Sequence, residues 1–234
     1  MKIINELRKD FKRNVDLKYK EGCERYFKEE IKVYGVRTKK VKEISFKHFK
    51  KVKTLDFYDI LKMCEKLLQN KYMEESYVAF DWTYRFRKQF KKSDLKIFER
   101  WMNKYVDNWA KCDNLGTRII GYMIEIYPEL VKDVKSWYKS KNRWMKRASA
   151  VSFVKPGSKG LYLKDILEVA TKLMYDEDDL VQKGYGWMLK ETSKAHQKQV
   201  FNFVVKQRKK MPRTALRYAI EKMPPRLRKE AMKR

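Results

Sequence analysis

Residues 55–68 read LDFYDILKMCEKLL. The apolar side chains in this stretch recur at steps of three and four residues, which places them on one face of an α-helix. They are Ile60, Leu61, Cys64, Leu67 and Leu68. Charged and polar residues fill most of the positions between them, so the stretch predicts an amphipathic helix with one buried face.

The same periodicity extends along the chain on both sides of this stretch. Val78, Trp82 and Phe86 follow at steps of four, and Leu115 and Ile119 continue the pattern in the second half. No stretch shows the alternation with hairpin turns that predicts β-strands, and Gly (8) and Pro (5) are scarce. We therefore predict an all-α protein of roughly a dozen helices joined by short connections.

Many amphipathic helices with short connections favour antiparallel helix pairs stacked as an α-solenoid. A compact helical bundle is the alternative, because no strict sequence repeat is visible. The length fits a single domain over residues 1–234 with a sizeable core.

Turn signals predict several helix boundaries. The apolar pattern of residues 26–34 predicts a helix that Gly35 ends. Ser93 and Asp94 predict the start of a helix, and the Lys-Pro-Gly sequence of residues 155–157 predicts the end of another.

The charge of the chain is strongly positive. Lys and Arg number 58 against 30 Asp and Glu, a formal net charge of +28. Such an excess indicates an anionic partner, and nucleic acid is the first candidate. An acidic membrane surface and a Lys-rich compositional bias of the genome are the alternatives.

The sequence gives little evidence of metal binding or of membrane insertion. The cysteines Cys23, Cys64 and Cys112 form no CxxC pair, and the two histidines share no local motif. We therefore expect no metal site, no cofactor and three reduced thiols. Without a long apolar run or a signal-peptide core, we expect a cytoplasmic monomer that associates with the nucleoid when on DNA, and no membrane partner.

Five short blocks stand in a recognisable order along nearly the whole chain. They are Tyr34-Gly35-Val36-Arg37-Thr38 after Arg25-Tyr26-Phe27, Asn108-Trp109 followed by Asp113, Asn142–Ala148, Gln182–Lys190 and Pro212–Ala219. Their order and spacing resemble the AlkD-like family of DNA alkylation-repair glycosylases, which are built from HEAT-like helical repeats. Lys39 and Ala110 depart from the family pattern, which commonly has Pro and an acidic residue there; Ala110 puts the wall of the active cleft in doubt.

The resemblance implies a fold and a set of site residues. The fold would be an α-solenoid of HEAT-like antiparallel helix pairs with a concave basic face. Asp113 would be the catalytic carboxylate, and Trp109 and Trp187 would line the lesion site. Arg147 would contact a phosphate near the lesion. Tyr26 and Arg37 would also meet the DNA.

The residues by themselves leave other interpretations open. Trp109 and Asp113 are four apart, which places both on one helical face, but a core tryptophan beside a capping or ion-paired aspartate has the same spacing. Trp187 fits a core position on an amphipathic helix. Arg147 fits a surface ion pair.

An aromatic face beside a carboxylate suits a cationic reaction centre. Cleavage of an N-glycosidic bond builds oxocarbenium character on the deoxyribose, and a fixed carboxylate stabilises that charge or positions water. A purine alkylated at N3 or N7 already carries positive charge and leaves as a neutral base, so one carboxylate is enough. The resemblance thus implies a monofunctional glycosylase acting on alkylated purines in double-stranded DNA. The alternative is a non-catalytic helical module that binds DNA or structured RNA.

Overall fold

A computed structural model describes residues 2–233, and its regular elements are helices, apart from one isolated β-bridge between Lys32 and Tyr72. The all-α prediction is confirmed. The chain separates into two compact units, Met1–Asn114 and Leu115–Arg234. The single domain over residues 1–234 stays a prediction.

The first unit contains seven α-helices among its described residues. They are α1 (Lys2–Arg13), α2 (Leu17–Tyr26), α3 (Thr38–Val52), α4 (Phe57–Gln69), α5 (Met73–Arg85), α6 (Leu95–Tyr105) and α7 (Trp109–Asn114). Helix α5 packs on both α3 and α4, and α1 packs on α3. Trp82 of α5 lies fully buried and donates its indole N–H to the carbonyl oxygen of Ser45 at 3.1 Å.

Helix α4 is the helix that the opening stretch predicted. Asp56 caps its start by accepting the Tyr58 N–H at 2.8 Å. All five apolar side chains of the predicted face are buried. At about 1.5–3 kcal/mol for each fully buried aliphatic side chain, this face stabilises α4 far more than its helix propensity does.

The predicted helix over residues 26–34 is wrong. Helix α2 ends at Tyr26, and Phe27 already has extended backbone angles. The segment that follows is held instead by the start of α5: the Met73 N–H donates to the Lys32 carbonyl oxygen at 2.8 Å. The Lys32 carbonyl oxygen therefore has a partner 41 positions away and needs none within a helix.

Helix α2 has an unusual surface. None of its residues is buried, although it carries Tyr19, Cys23 and Tyr26 on one side. Asp16 caps its N-terminus by accepting the Tyr19 N–H at 2.9 Å. The helix therefore lies on the surface of the first unit, with every residue at least partly accessible to solvent.

The second unit begins with a π-helical segment, Leu115–Ile120. Its α-helices are α8 (Gly121–Ile126), α9 (Val131–Ser136), α10 (Arg143–Val151), α11 (Val154–Ser158), α12 (Leu163–Leu173), α13 (Asp179–Thr192), α14 (Gln197–Gln207), α15 (Arg213–Ile220) and α16 (Pro225–Ala231). Helix α13 is the centre of this unit, since α10, α11, α12 and α15 all pack on it.

Two further boundary predictions have opposite outcomes. Asp94 accepts the Lys91 N–H at 2.8 Å immediately before α6 begins at Leu95, so the predicted start there is confirmed. The predicted helix end at residues 155–157 is wrong, because α11 runs through Pro156. Proline is tolerated in the first turn of a helix, where its missing N–H is not needed.

The close approach of α13 and α15 depends on Gly186. A Cβ atom at this position would lie 2.7 Å from the Tyr218 Cβ and 2.8 Å from the Ala215 carbonyl oxygen. No side chain fits there unless the two helices separate.

Substitution of this glycine tests the contact. We expect Gly186→Ala to lower the free energy of unfolding by about 1–3 kcal/mol because α15 must move away. Gly22→Ala is the matched control, since Gly22 also lies within a helix but a Cβ there meets no atom within 4 Å; it should stabilise the protein by up to about 1 kcal/mol. Urea unfolding followed by circular dichroism measures both, and equal stability of the two variants would contradict the packing argument.

Between residues 2 and 233, none of the helices has the length and the apolar character that a membrane span requires.

Candidate functional site

Helix α7 carries the two residues on which the sequence argument depends most. Trp109 is its first residue and Asp113 lies one turn later, and both side chains are half-buried. The Asn108 side chain caps the helix by accepting the Lys111 N–H at 3.1 Å. Just beyond α7 the backbone becomes π-helical, a conformation that is frequent at functional sites.

Lys111 anchors α7 from the side opposite to Trp109 and Asp113. Its buried ammonium group donates to the Lys71 carbonyl oxygen at 2.7 Å and to the Asp107 carboxylate at 2.8 Å. Burial lowers the pKa of Lys111, and the partnership with Asp107 counteracts part of that shift. Sequence reasoning missed this anchor, although the spacing of four between Asp107 and Lys111 was a visible signal.

Two aromatic rings lie against Trp109. Phe27 stacks on the indole, with ring centroids 5.2 Å apart and an angle of 16° between the planes. Tyr26 meets it edge-on at 6.1 Å, and the tyrosine is 71% exposed. The structure therefore brings together two of the predicted site residues, Tyr26 and Trp109. It also places Phe27, which was not predicted, against Trp109.

These aromatic residues border a cleft of about 660 Å³ in the first unit. The other borders are α2, the segment between α2 and α3, and the first turns of α3 and α5. Arg37 lines the same cleft, so three predicted site residues (Tyr26, Arg37 and Trp109) surround one space.

Arg37 lies exposed at the cleft. Its guanidinium donates to the Asp16 carboxylate at 2.8 Å and lies 5.6 Å from the centre of the Tyr19 ring. The Tyr19 N–H and Arg37 together hold the pKa of Asp16 below its ordinary value. Arg37 remains largely exposed, so its guanidinium stays accessible at this edge of the cleft although the pair with Asp16 is neutral overall.

The backbone of residues 34–36 binds a carboxylate of the chain itself. The Glu74 side chain, 5% exposed, accepts N–H groups from Tyr34 (3.1 Å), Gly35 (2.9 Å) and Val36 (3.1 Å). Gly35 has a φ of +93°, the left-handed conformation that lets three successive N–H groups converge on one anion. Glu74 thereby fixes residues 34–36, the part of the cleft wall that directly precedes Arg37 in the chain.

The neighbouring Glu75 ties the same wall to α1. It is fully buried and accepts two hydrogen bonds from Arg8, at 3.1 and 2.9 Å, and one from the Tyr34 hydroxyl at 2.6 Å. The hydrogen bond to Glu75 raises the pKa of Arg8. Burial raises the pKa of Tyr34, and the Glu75 contact adds to that shift.

Arg147 and Trp187 belong to the second unit. Arg147 is 5% exposed, donates to the Leu180 carbonyl oxygen, and lies 3.2 Å from where a Cβ of Gly184 would be. Arg147 is therefore not a surface residue, because its side chain is buried between α10 and α13. Trp187 is half-buried on α13 and not a core residue.

The cysteines and histidines supply no metal site. Among residues 2–233, no group of three or more His, Cys, Asp or Glu side chains lies close enough to hold a metal ion. Cys23 is half-exposed at the cleft, whereas Cys64 and Cys112 are fully buried. Burial raises the pKa of the Cys64 thiol to about 12.

Thiol titration should distinguish these cysteines. With an aromatic disulfide reagent at pH 8, we expect one rapid equivalent from the native protein, from Cys23. Cys64 and Cys112 are fully buried and out of reach of the reagent, and the raised pKa of Cys64 also leaves little of its thiolate. Denaturant should release two more equivalents. A Cys23→Ser variant that still reacted rapidly when native would contradict the assignment.

The fold was compared with those of known proteins. It is similar to a solved structure described as "Predicted DNA alkylation repair enzyme from Enterococcus faecalis", with a TM-score of 0.82 at 15% sequence identity over 91% of this chain and 98% of that chain. At this identity the likeness shows the fold alone. No protein with a curated description matches the chain.

The family model for DNA alkylation repair enzymes matches residues 7–223. The chain therefore belongs to the DNA alkylation repair enzyme family. This confirms the family resemblance and assigns the protein to DNA repair, with DNA as its substrate.

Proposed function

We propose that the protein is a monofunctional DNA glycosylase that hydrolyses the N-glycosidic bond of cationic N3- or N7-alkylated purines in double-stranded DNA, the first step of base excision repair. The observation that carries the proposal is the pair on α7: a half-exposed tryptophan one helical turn from a half-exposed aspartate, in a chain of this family.

In this proposal Asp113 stabilises positive charge on the deoxyribose as the bond breaks, or orients the attacking water. A fixed carboxylate does this without reorganisation at the moment of reaction. The alkylated purine leaves as a neutral base, so no second acid is required. The proposal needs no cofactor and predicts little release of uncharged lesions.

The aromatic residues have a binding part in the proposal. Trp109 presents its ring to the cationic nucleotide, whose charge an aromatic face attracts. Tyr26 and Arg37, which border the same cleft, contact the backbone of the strand. Trp187 would contact the DNA from α13.

Arg147 enters the proposal differently from the sequence-based expectation. Its guanidinium is buried and donates to the Leu180 carbonyl oxygen, so it holds α10 against α13 and does not extend into solvent. We propose that Arg147 positions α10 and α13 so that a phosphate near the lesion can bind beside them.

Base release from methylated duplex DNA tests the proposal. Wild-type protein, incubated without metal or cofactor, should release 7-methylguanine and 3-methyladenine, detected by chromatography, and none from unmethylated DNA. Binding to the duplex should weaken steeply with salt because of the net charge of +28. Tight, salt-sensitive DNA binding without base release would favour the non-catalytic module instead.

A further inference from the structure

Helix α7 buries little apolar surface of its own. It is six residues long, and its buried residues are Lys111 and Cys112. A helix this short is unstable in water without tertiary contacts. One thiol side chain and the stacking of Trp109 on Phe27 give it limited apolar contact. The position of α7 therefore depends largely on polar contacts.

The ammonium group of Lys111 joins α7 to the turn between α4 and α5. It donates to the Lys71 carbonyl oxygen at 2.7 Å and to both oxygens of the Asp107 carboxylate, at 2.8 and 3.1 Å. Asp107 directly precedes Asn108, which caps α7. Because all these contacts meet at one buried group, Lys111 fixes both the start of the helix and the turn against which it lies.

The turn at Lys71 leads directly into the wall of the cleft. Lys71 has a φ of +61°, a left-handed conformation that is unfavourable for a residue with a Cβ and persists where neighbouring groups hold it. Met73 and Glu74 follow this turn and line the cleft. The Asn108 side chain donates to the Met73 sulfur at 3.1 Å. These contacts and the Lys111 bond together set the position of α7 relative to the cleft wall.

Lys111 is buried on the side of α7 opposite to Trp109 and Asp113, so it acts on them through the helix backbone. From these contacts we infer that Lys111 is a positioning residue for base release: its ammonium group holds α7 against the turn at Lys71 and thereby keeps Asp113, and Trp109 one turn before it, in the orientation that the reaction needs. This inference rests on the proposed glycosylase function.

Lys111→Met tests the inference, because methionine keeps an unbranched apolar stem and removes the ammonium group. Single-turnover release of 7-methylguanine should fall about 10- to 100-fold, the loss expected when a reacting group is displaced by about 1 Å. Affinity for the same methylated duplex should stay close to that of wild type, because the ammonium group is buried. Lys62→Met is the matched control: it removes the same charge from an exposed lysine that pairs with Asp59 in α4, and it should keep the wild-type rate.

Combination with Asp113→Asn distinguishes positioning from a general loss of structure. If Lys111 acts through Asp113, the ammonium group should matter little once the carboxylate is gone. Lys111→Met should then lower the residual release rate of the Asp113→Asn protein by less than about threefold. A loss of the same size in both backgrounds would overturn the inference.

Asp107→Asn covers the case in which Lys111→Met does not fold. It removes the carboxylate from the pair and leaves the Lys111 bond to the Lys71 carbonyl oxygen in place. The Asp107 side chain is 32% exposed, so water can reach the substituted group. A severalfold lower release rate at unchanged DNA affinity supports the inference, and a wild-type rate overturns it.

The outcomes separate the two proposals. If wild type releases base and a correctly folded Lys111→Met protein does so at the same rate, or loses DNA affinity in proportion to its rate, the positioning inference is overturned and the glycosylase proposal stands. If wild type releases no base, the glycosylase proposal fails and the positioning inference fails with it.

Discussion

Asp113→Asn is expected to lower the rate of 7-methylguanine release by about 100- to 1000-fold, the usual loss when one preorganised electrostatic group is removed from an active site. Asparagine keeps the size of the side chain and removes only its charge, so the stabilisation of the oxocarbenium-like state is lost. Single-turnover release from methylated duplex DNA is the measurement. DNA affinity should stay close to that of wild type.

Asp133→Asn provides the control for this experiment. Asp133 is an exposed residue of a short helix, α9, and its substitution removes the same charge without touching the candidate site; it should release base at the wild-type rate. Asp113→Glu keeps the charge on a longer side chain and should retain more activity than Asp113→Asn. Full activity of a correctly folded Asp113→Asn protein would overturn the catalytic assignment.

Glu74→Ala is expected to destabilise the protein by about 3–5 kcal/mol, because it leaves three N–H groups of residues 34–36 without an acceptor in a largely buried place. At roughly 2–4 °C for each kcal/mol in a chain of this length, the melting temperature should fall by about 6–20 °C. Differential scanning calorimetry measures the change.

Glu74→Gln should lie between wild type and Glu74→Ala, because its amide oxygen still accepts hydrogen bonds but carries no charge. Glu43→Ala is the control: Glu43 pairs with Lys40 on the exposed surface of α3, and such pairs contribute little to stability. A Glu74→Ala protein that melts with wild type would show that the carboxylate does not hold the cleft wall.

Local patterns in the sequence were sufficient to predict helices such as α4 and α6, but they gave a wrong helix over residues 26–34 and a wrong helix end at residues 155–157. The buried face of α4 and the cap at Asp94 involve residues within a few positions of one another, so their chemistry is visible in a short window. The π-helical change at Leu115 has no comparable pattern in the local sequence.

The parts of the site that could not be predicted depend on distant partners. Phe27 stacks on a tryptophan 82 positions away, and the segment after α2 is held by Glu74 together with its own Gly35. Arg147 lies buried because Gly184, 37 positions later, leaves space for it. Spacing alone placed Trp109 and Asp113 on one helical face, whereas their proposed roles came from the family resemblance.

The carboxylate bound by residues 34–36 also has a consequence for hydrogen exchange. Amide protons outside helices ordinarily exchange with solvent quickly, but those of Tyr34, Gly35 and Val36 are all held by one acceptor. They can exchange only when the Glu74 contact opens, so the three protons should share one opening free energy and exchange as a unit. Their common protection factor would measure how often the wall of the cleft detaches from the rest of the first unit.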